Sequence, residues 1–335
     1  MKKIICIGSS AKDIFFPTDE GVHLDTPEDL TSQKKIAFES GAKYHIETRF
    51  ESLGGCAVNV ACGLKRLGIE SFCYTVLGDD LLGEWIKGEM EKEGVDASFV
   101  KTENCLTGLS AIIVDKRNGE RIIFSNQEAN KRLKVIPTEI TDFNWISVTD
   151  PNGDWRGVLD AVAEVSAETG AKICFNPRGR NITEDVEKIH QFAGKTEVLF
   201  VNKDEAIEII INTGGNVFKD EEVNDEIFLL KELKKTGAKV VVITDGERGA
   251  WGYDGEEIFY VEAFRVVAVD STGAGDSFSS GFLAGYIEGK SIAESLKMGI
   301  VNGANVVLHY GGVAGLLRKD EMEKFLNKVE AKKIN

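Results

Sequence analysis

The chain has 335 residues, of which 42% are hydrophobic and 28% are charged, and its formal net charge at pH 7 is −15. This acidity argues against nucleic-acid binding, which depends on a positively charged face, and no apolar run approaches the ~20 residues that a membrane-spanning helix requires. The six cysteines lack Cys-x-x-Cys spacing and the four histidines lack metal-ligand spacing, so we expect neither a disulfide framework nor a histidine metal site.

The N-terminal apolar run, residues 3–8, is too short for the apolar core of a signal peptide, so we interpret it as a first strand and expect a cytoplasmic protein. Asp13 follows in the predicted loop. Because ligands in open α/β sheets lie outside the carboxyl ends of strands, Asp13 is placed to meet one. Residues 14–52 show no clear amphipathic helix and indicate short strands, and residues 108–126 form a hairpin around Asn118-Gly119. These two segments predict a small β-sheet lid.

Between the lid segments, Gly54 and Gly55 open a helix that Gly68 ends. Asn59 is a polar amide on the otherwise apolar face of this helix, and such a group needs a partner. From residue 145 onward, strands 145–149, 171–176, 197–201 and 239–244 alternate with helices. That alternation predicts a mainly parallel sheet with helices on both faces, within one domain that spans residues 1–335.

Three strand ends in this half carry polar residues: Asn176-Pro177-Arg178-Gly179-Arg180, Asn202-Lys203-Asp204-Glu205 and Thr244-Asp245-Gly246-Glu247-Arg248-Gly249. Mg²⁺ keeps several waters and needs few protein carboxylates, so a single Glu at the second strand end is chemically sufficient for a magnesium site. A helix first turn with acidic residues that favour its dipole is the alternative interpretation.

Residues 266–286 are predicted to be a strand that ends at Asp270, a glycine-rich turn (Gly273, Ala274, Gly275) and a helix that begins at Asp276. Small residues let the backbone approach a ligand, and the free N–H groups of a helix's first turn attract anions. The same helix end should lower the pKa of Asp276 and keep it ionised. An ionised Asp beside an anion cradle predicts a base for phosphoryl transfer to a hydroxyl.

The string Asp270-Ser-Thr-Gly-Ala-Gly-Asp-Ser-Phe278 resembles the C-terminal signature of the ribokinase or PfkB family of carbohydrate kinases, with Ser271 in place of a Thr. Gly54 to Ala61 resembles the family's N-terminal signature. The resemblance implies a three-layer αβα sandwich with a β lid, a small-molecule sugar-like substrate, ATP and Mg²⁺, and a homodimer through the lid. Cys56 and Ala11 replace the Lys and Asn found in ribokinase itself, which disfavours ribose as the substrate.

The resemblance also implies roles for individual residues. Asp276 would be the base, and Gly273 to Gly275 would form the anion hole. The remaining implied roles are substrate binding for Asp13, Gly54, Gly55, Asn59 and Arg180; nucleotide binding for Asn202, Thr244, Gly246, Gly249 and Asn302; Mg²⁺ binding, largely through water, for Glu205 and Asn202; and binding of a monovalent cation such as K⁺ for Asp270 and Thr272.

Two other functions stay open from the sequence. A nucleoside kinase would keep the fold and change the acceptor. A non-catalytic regulator that binds nucleotide or sugar would keep the fold without turnover, but such a module has no need of a base at Asp276. A dinucleotide oxidoreductase is less favoured, because Gly8 is not followed by the Gly-x-Gly-x-x-Gly pattern.

Overall fold

The computed structural model describes residues 2–28, 34–213 and 218–334. Part of the predicted lid, residues 29–33, lies outside the described residues, as do residues 1, 214–217 and 335 of the predicted domain. The strands are β1 (Lys3–Gly8), β2 (Ala11–Thr18), β3 (Val22–Asp25), β4 (Lys34–Ala37), β5 (Phe50–Gly54), β6 (Glu70–Tyr74), β7 (Val76–Gly78), β8 (Lys101–Glu103), β9 (Leu109–Asp115), β10 (Arg121–Asn126), β11 (Trp145–Thr149), β12 (Lys172–Asn176), β13 (Val198–Asn202), β14 (Val240–Thr244), β15 (Ala250–Tyr253), β16 (Ile258–Val261) and β17 (Ala331–Ile334).

Helices flank these strands along the chain. They are α1 (Cys56–Arg66), α2 (Leu81–Lys92), α3 (Trp155–Thr169), α4 (Gly179–Glu184), α5 (Val186–Ala193), α6 (Lys203–Asn212), α7 (Asp220–Val223), α8 (Glu226–Lys234), α9 (Ala274–Glu288), α10 (Ile292–Val306) and α11 (Lys319–Leu326). Short 3₁₀ turns lie at Asn130–Arg132, Pro137–Glu139 and Gly246–Arg248. Within the described ranges, no helix is long and apolar enough to cross a membrane.

The described residues form a central sheet of nine strands in the order β17-β16-β15-β14-β13-β12-β11-β1-β6. The pairs from β6 to β14 are parallel and those from β14 to β17 are antiparallel. One hydrophobic cluster packs α1, α9 and α10 on one face, and a second packs α3, α5, α6 and α8 on the other. Because both faces are covered, a strand such as β11 is buried along its whole length. The predicted three-layer α/β fold is confirmed.

The lid is a separate four-stranded sheet in the order β10-β9-β2-β5. The predicted hairpin is confirmed as the antiparallel pair of β9 and β10. The lid begins earlier than predicted, at Ala11, because β2 pairs in parallel with β9. Asp13 therefore lies in a strand of the lid, and its predicted position in a loop is wrong.

The structure differs from the sequence prediction in two further segments. Residues 266–269 form no strand in the described structure, and the Val267 side chain is exposed. The sequence of residues 319–331 predicts one terminal amphipathic helix, but α11 ends at Leu326, and residues Ala331–Ile334 form β17, which pairs with β16 at the edge of the central sheet. An apolar run or a helical pattern does not by itself determine whether a segment pairs with a neighbouring strand.

Candidate active site

The glycine-rich turn before α9 is open on one side and closely packed on the other. Gly273 caps the helix with φ 75°, and a Cβ added there would lie 2.4 Å from the Cα of Gly312. A Cβ on Gly275, by contrast, would meet nothing within 4 Å. Among the described residues, the backbone N–H groups of Gly275 and Asp276 have no acceptor. These free amides at the start of a 15-residue helix form a cradle for an anion.

Asp276 lies buried in the first turn of α9. Its Oδ2 accepts a hydrogen bond from Nδ2 of Asn59 (2.9 Å), so α1 and α9 hold the pair together. Burial raises the pKa of Asp276, while the positive charge of Arg178 and the bond from Asn59 act in the opposite direction. The predicted lowering of this pKa is therefore wrong, because removal of the carboxylate from water outweighs the favourable charges near it.

Asn59 is buried beside the carboxylate that it binds. Its Oδ1 has no hydrogen-bond partner among the described residues. The amide also lies against Gly312, where an added Cβ would come within 2.6 Å of Nδ2. A buried acceptor without a donor is costly, so Oδ1 is available to a hydroxyl or to water in the cleft.

Asp13 brings a second buried carboxylate from the lid. Burial raises its pKa to about 6, a bond from Ser110 lowers it, and the charges of Asp270 and Asp276 raise it further. The carboxylate lies against Gly54, where an added Cβ would come within 2.0 Å of Oδ2. Gly55 has φ 89°, and a Cβ there would come within 2.4 Å of the Cα of Ser10. Both glycines of the predicted pair are thus needed for close approach, Gly54 to a side chain and Gly55 to the backbone.

Arg178 is the charged residue that sequence reasoning missed. Its guanidinium contacts Sγ of Cys56 and lies 3.7 Å from Oδ1 of Asp150, and its charge lowers the pKa of both Asp276 and Glu205. Nearly half of its side chain, 45%, is exposed, so solvent reaches it in the cleft. The structure thus brings Arg178 to the carboxylate cluster of Asp150, Glu205 and Asp276.

The structure does not bring Arg180 into that cluster. Arg180 donates to Glu184 (2.6 Å) on the exposed side of α4.

Asp150 is a second charged residue that sequence reasoning missed. It follows β11 with φ 51°, which is rare for a residue other than glycine, and its Oδ2 accepts from the hydroxyl of Ser9 (2.7 Å). The signal that was available for Arg178 and Asp150 is that each closely follows the carboxyl end of a parallel strand.

Asn202 and Glu205 cap the start of α6 reciprocally. Oδ1 of Asn202 accepts from the N–H of Glu205 (2.8 Å), and Oε2 of Glu205 accepts from the N–H of Asn202 (2.9 Å). Burial raises the pKa of Glu205 to about 7, against the lowering effects of the Asn202 bond and of Arg178. Oε2 of Glu208 is buried without a partner among the described residues.

These carboxylates fit magnesium. Glu205 keeps one carboxylate oxygen outside its capping bond, and the orphaned Glu208 oxygen suits a bound water. Mg²⁺ is bound mainly through water with one or two carboxylates. The described residues contain no group of three or more His, Cys, Asp or Glu side chains arranged for a fully protein-ligated metal. A largely water-mediated site is the arrangement that the donor set allows.

Asp270 is fully buried and joins two loops. Its Oδ1 accepts from the N–H and the hydroxyl of Thr272 (3.0 and 2.7 Å), and its Oδ2 accepts from the N–H of Gly311 (2.9 Å). These bonds fix the start of the anion loop. Binding of a monovalent cation at Asp270 and Thr272 stays a prediction.

The predicted nucleotide residues lie at two different places. Thr244 ends β14 beside Asn202 of β13, at the carboxyl edge of the parallel strands. Gly246 and Gly249 follow with φ 47° and 100°, and a Cβ on Gly249 would lie 2.1 Å from the carbonyl oxygen of Val261. Those glycines are required by the turn itself.

The side chain of Asn302 makes its hydrogen bonds within the protein. It is fully buried, its Nδ2 donates to the carbonyl of Ser277 (2.8 Å) and to Oγ of Ser280 (3.2 Å), and its Oδ1 accepts from the N–H of Leu317 (3.1 Å). These bonds use both amide protons and occupy the oxygen. In this conformation the Asn302 amide is fully used by the protein, and its predicted role in nucleotide binding stays a prediction.

The fold described above is the ribokinase fold. The crystal structure of a nucleoside kinase from Methanocaldococcus jannaschii, described as an archaeal member of the ribokinase family, superimposes with a TM-score of 0.76 at 22% identity, covering 98% of this chain and 99% of that one. The pfkB family carbohydrate kinase model matches residues 2–319. The chain belongs to the pfkB family of carbohydrate kinases, which transfer a phosphoryl group to a sugar-like substrate.

Curated relatives agree with this assignment. The ATP-dependent 6-phosphofructokinase of Thermoanaerobacterium thermosaccharolyticum is 25% identical over 293 residues, which cover 84% of this chain and 87% of that protein. The 2-dehydro-3-deoxygluconokinase of Bacillus subtilis is 28% identical over 308 residues, which cover 87% and 91%. The acceptors named for these relatives differ from one another, a sugar phosphate in the first and a sugar acid in the second.

Proposed function

We propose that this kinase transfers the γ-phosphoryl group of MgATP to a hydroxyl of a sugar-like substrate, with Asp276 as the general base. The observation that carries the proposal is the position of Asp276. Its buried carboxylate lies in the first helical turn, beside amides that have no acceptor among the described residues. A base and an anion cradle in one turn are what in-line transfer to an alcohol requires.

In this mechanism the acceptor hydroxyl gives its proton to Asp276 as it attacks phosphorus. At the anion loop of Gly273, Ala274 and Gly275, the free amides of Gly275 and Asp276 stabilise the negative charge on the transferring group, while the N–H of Ala274 donates to the carbonyl of Ser271 (3.3 Å). Arg178, whose charge acts on Asp276 and Glu205, adds a positive charge on the same side of the cleft.

Asn202 and Glu205 would hold Mg²⁺, which supplies charge neutralisation of the phosphates when bound. Asn202 lies beside Thr244 at the carboxyl edge of the sheet, so the nucleotide phosphates are expected along this edge, with Gly246 and Gly249 forming the turn that follows. K⁺ at Asp270 and Thr272 is part of the same proposal, and replacement of K⁺ by Na⁺ in the assay tests it.

Asp13 and Asn59 are proposed to bind the acceptor. Both are buried, and each offers an oxygen acceptor that suits a sugar hydroxyl. The raised pKa of Asp13, about 6, is below neutral, so the carboxylate is charged at pH 7.5 and accepts hydrogen bonds from hydroxyl groups.

A nucleoside is the second candidate acceptor. The rings of Phe50 and Tyr310 stack with centroids 4.2 Å apart, and Phe50 is 41% exposed. Ser52, opposite Asp13 in the lid sheet, follows Phe50 by two residues. This aromatic surface therefore lies on the strand next to Asp13, where a nucleobase could stack.

The experiment is an ADP-release assay with MgATP against a panel of sugars, sugar phosphates, sugar acids and nucleosides. We expect turnover on one class and a loss of at least ~10³-fold in kcat in Asp276→Asn, since removal of the general base combines with disturbance of the anion loop. The matched control is Asp320→Asn, an exposed carboxylate in the first turn of α11, which should leave kcat unchanged. ATP binding without turnover across the whole panel would favour the non-catalytic regulator, and full activity of Asp276→Asn would refute the base assignment.

We also propose that two copies associate through the lid. Ile123 and Phe124 of β10 are 46% and 64% exposed, which leaves apolar surface on the lid. Light scattering of the wild type and of Phe124→Asp tests this. A monomeric wild type refutes it.

A further inference from the structure

Three hydrogen bonds join the tip of the lid hairpin to the start of the anion loop. The N–H of Ser271 donates to the carbonyl of Gly119 (3.0 Å), and the Ser271 hydroxyl donates to the same carbonyl (3.1 Å). Nη1 of Arg121 donates to the Ser271 hydroxyl oxygen (2.6 Å). A hydroxyl has one proton to give and lone pairs to accept with, so the three bonds are compatible with one another. We call Gly119, Arg121 and Ser271 the latch.

The backbone geometry of the hairpin turn makes this contact close. Gly119 has φ 72°, and a Cβ added there would lie 3.0 Å from the carbonyl oxygen of Ala268. The turn therefore rests directly on the segment that leads into the anion loop. On its other side the start of the loop is fixed by Asp270, which accepts from Gly311. Of the latch and the Asp270–Gly311 hydrogen bond, only the latch involves residues of the lid.

The latch also connects the anion loop to the acceptor side of the cleft. Asp13 lies opposite Ser110 in the parallel pair of β2 and β9, and β9 continues through the hairpin turn to Arg121. One sheet thus carries both a residue proposed to bind the acceptor and the groups that bind Ser271. A shift of this sheet would therefore move the proposed acceptor-binding residue Asp13 and the start of the anion loop together.

Arg121 is poorly placed to contribute stability. Its Nε is buried without a partner among the described residues. A buried donor without an acceptor costs free energy that offsets the bond to Ser271. The effect of Arg121 is therefore expected in the position of the loop and not in the free energy of unfolding.

We propose that Ser271 and Arg121 are positioning residues that hold the anion loop in its catalytic geometry and tie it to the lid. The proposal rests on the proposed function, because it concerns the same anion loop. Neither residue needs to contact the substrate. Since catalysis of phosphoryl transfer consists mainly of positioning and electrostatic stabilisation, displaced amides reduce the rate more than they reduce ATP binding.

Steady-state kinetics with the acceptor found in the panel test the latch. Ser271→Ala and Arg121→Met should each lower kcat about tenfold while the KM for ATP changes less than threefold. Ser271→Thr keeps the hydroxyl and should restore kcat to within about twofold of the wild type. The control is Lys116→Met, an exposed cation in the same hairpin, which should leave kcat unchanged. Equal kcat values for Ser271→Ala and Ser271→Thr would overturn the proposal.

Hydrogen exchange of the full chain without substrate gives a readout that is independent of turnover. Ser271→Ala and Arg121→Met should increase amide exchange in residues 116–121 and 271–274, where loop amides are hydrogen-bonded, and Lys116→Met should not. Unchanged exchange in both segments overturns the latch. If the wild type turns over no acceptor, the proposed function fails, and the exchange data alone decide whether the latch holds the loop.

Discussion

Replacement of Gly54 by alanine is predicted to damage acceptor use while leaving ATP use intact. Gly54 ends β5 and is not among the residues with positive φ, so its backbone accepts an alanine without strain. The added Cβ would nevertheless lie 2.0 Å from Oδ2 and 2.4 Å from Cγ of Asp13. Real Cβ atoms essentially never come closer than 3.0 Å to a neighbour, so the carboxylate must move by about 1 Å.

The size of the effect follows from that displacement. Asp13 is almost fully buried and its carboxylate accepts from Ser110, so it has little room to move without loss of this bond. A misplacement of about 1 Å at a reacting centre costs ~10²-fold in rate. We therefore expect kcat/KM for the acceptor to fall about 100-fold, equivalent to about 3 kcal/mol of transition-state stabilisation. The KM for ATP should stay within about twofold, since the nucleotide is expected at the other strand ends.

The assay is ADP release at varied acceptor and at varied ATP, beside a matched glycine-to-alanine control. Gly88 lies within α2, and a Cβ there would meet nothing within 4 Å. Gly88→Ala should keep wild-type kinetics and gain up to ~1 kcal/mol in the free energy of unfolding, because alanine is the better helix former. If acceptor kcat/KM in Gly54→Ala stays within twofold of that in Gly88→Ala, the role of Asp13 in acceptor binding is refuted.

Three further predictions concern buried polar groups. The pKa of Glu205 is raised from its ordinary 4.5 to about 7, so the folded state binds more protons than the unfolded state between these pH values. The free energy of unfolding should therefore fall as pH rises through this range, by about 3 kcal/mol. Glu205→Gln keeps the capping geometry and should lose this slope in urea unfolding without Mg²⁺. Asn59→Leu removes a donor that lowers the pKa of Asp276, so the acidic limb of the kcat profile should move to higher pH. Asn302→Ala should reduce the free energy of unfolding by about 2 kcal/mol, because it strands the N–H of Leu317, with the KM for ATP unchanged.

Each of these has an outcome that contradicts it. If the free energy of unfolding varies with pH in the same way in the wild type and in Glu205→Gln, the carboxyl group of Glu205 is not the source of its decrease. An acidic limb that Asn59→Leu leaves in place would mean that Asp276 is not the group that titrates. A large rise in the KM for ATP in Asn302→Ala, at unchanged stability, would support the predicted nucleotide contact instead.

The sequence alone determined the strands that are covered on both faces. Residues 240–244 are continuously apolar until their last position, and such a run has no other favourable place than the middle of a sandwich. The Asn118-Gly119 turn was equally decisive, because few residues accept the positive φ of a tight hairpin. A glycine-rich turn followed by a helix was also predicted from local backbone demands, but the helix begins at Ala274 and not at Asp276.

Only the tertiary structure decided which side chains meet. Sequence placed Asp13 in a loop, but strand pairing with β9 puts it in the lid, and pairing depends on partners that are distant in the chain. Arg178 and Arg180 are two residues apart, and the path of the chain after β12 turns Arg178 to Cys56 and Arg180 to Glu184. The pKa of Asp276 was predicted in the wrong direction because the helix end is local, whereas burial by the packed helices α1 and α9 is not. Local sequence therefore determines conformation and chemical type, while desolvation and side-chain partnership arise from long-range packing.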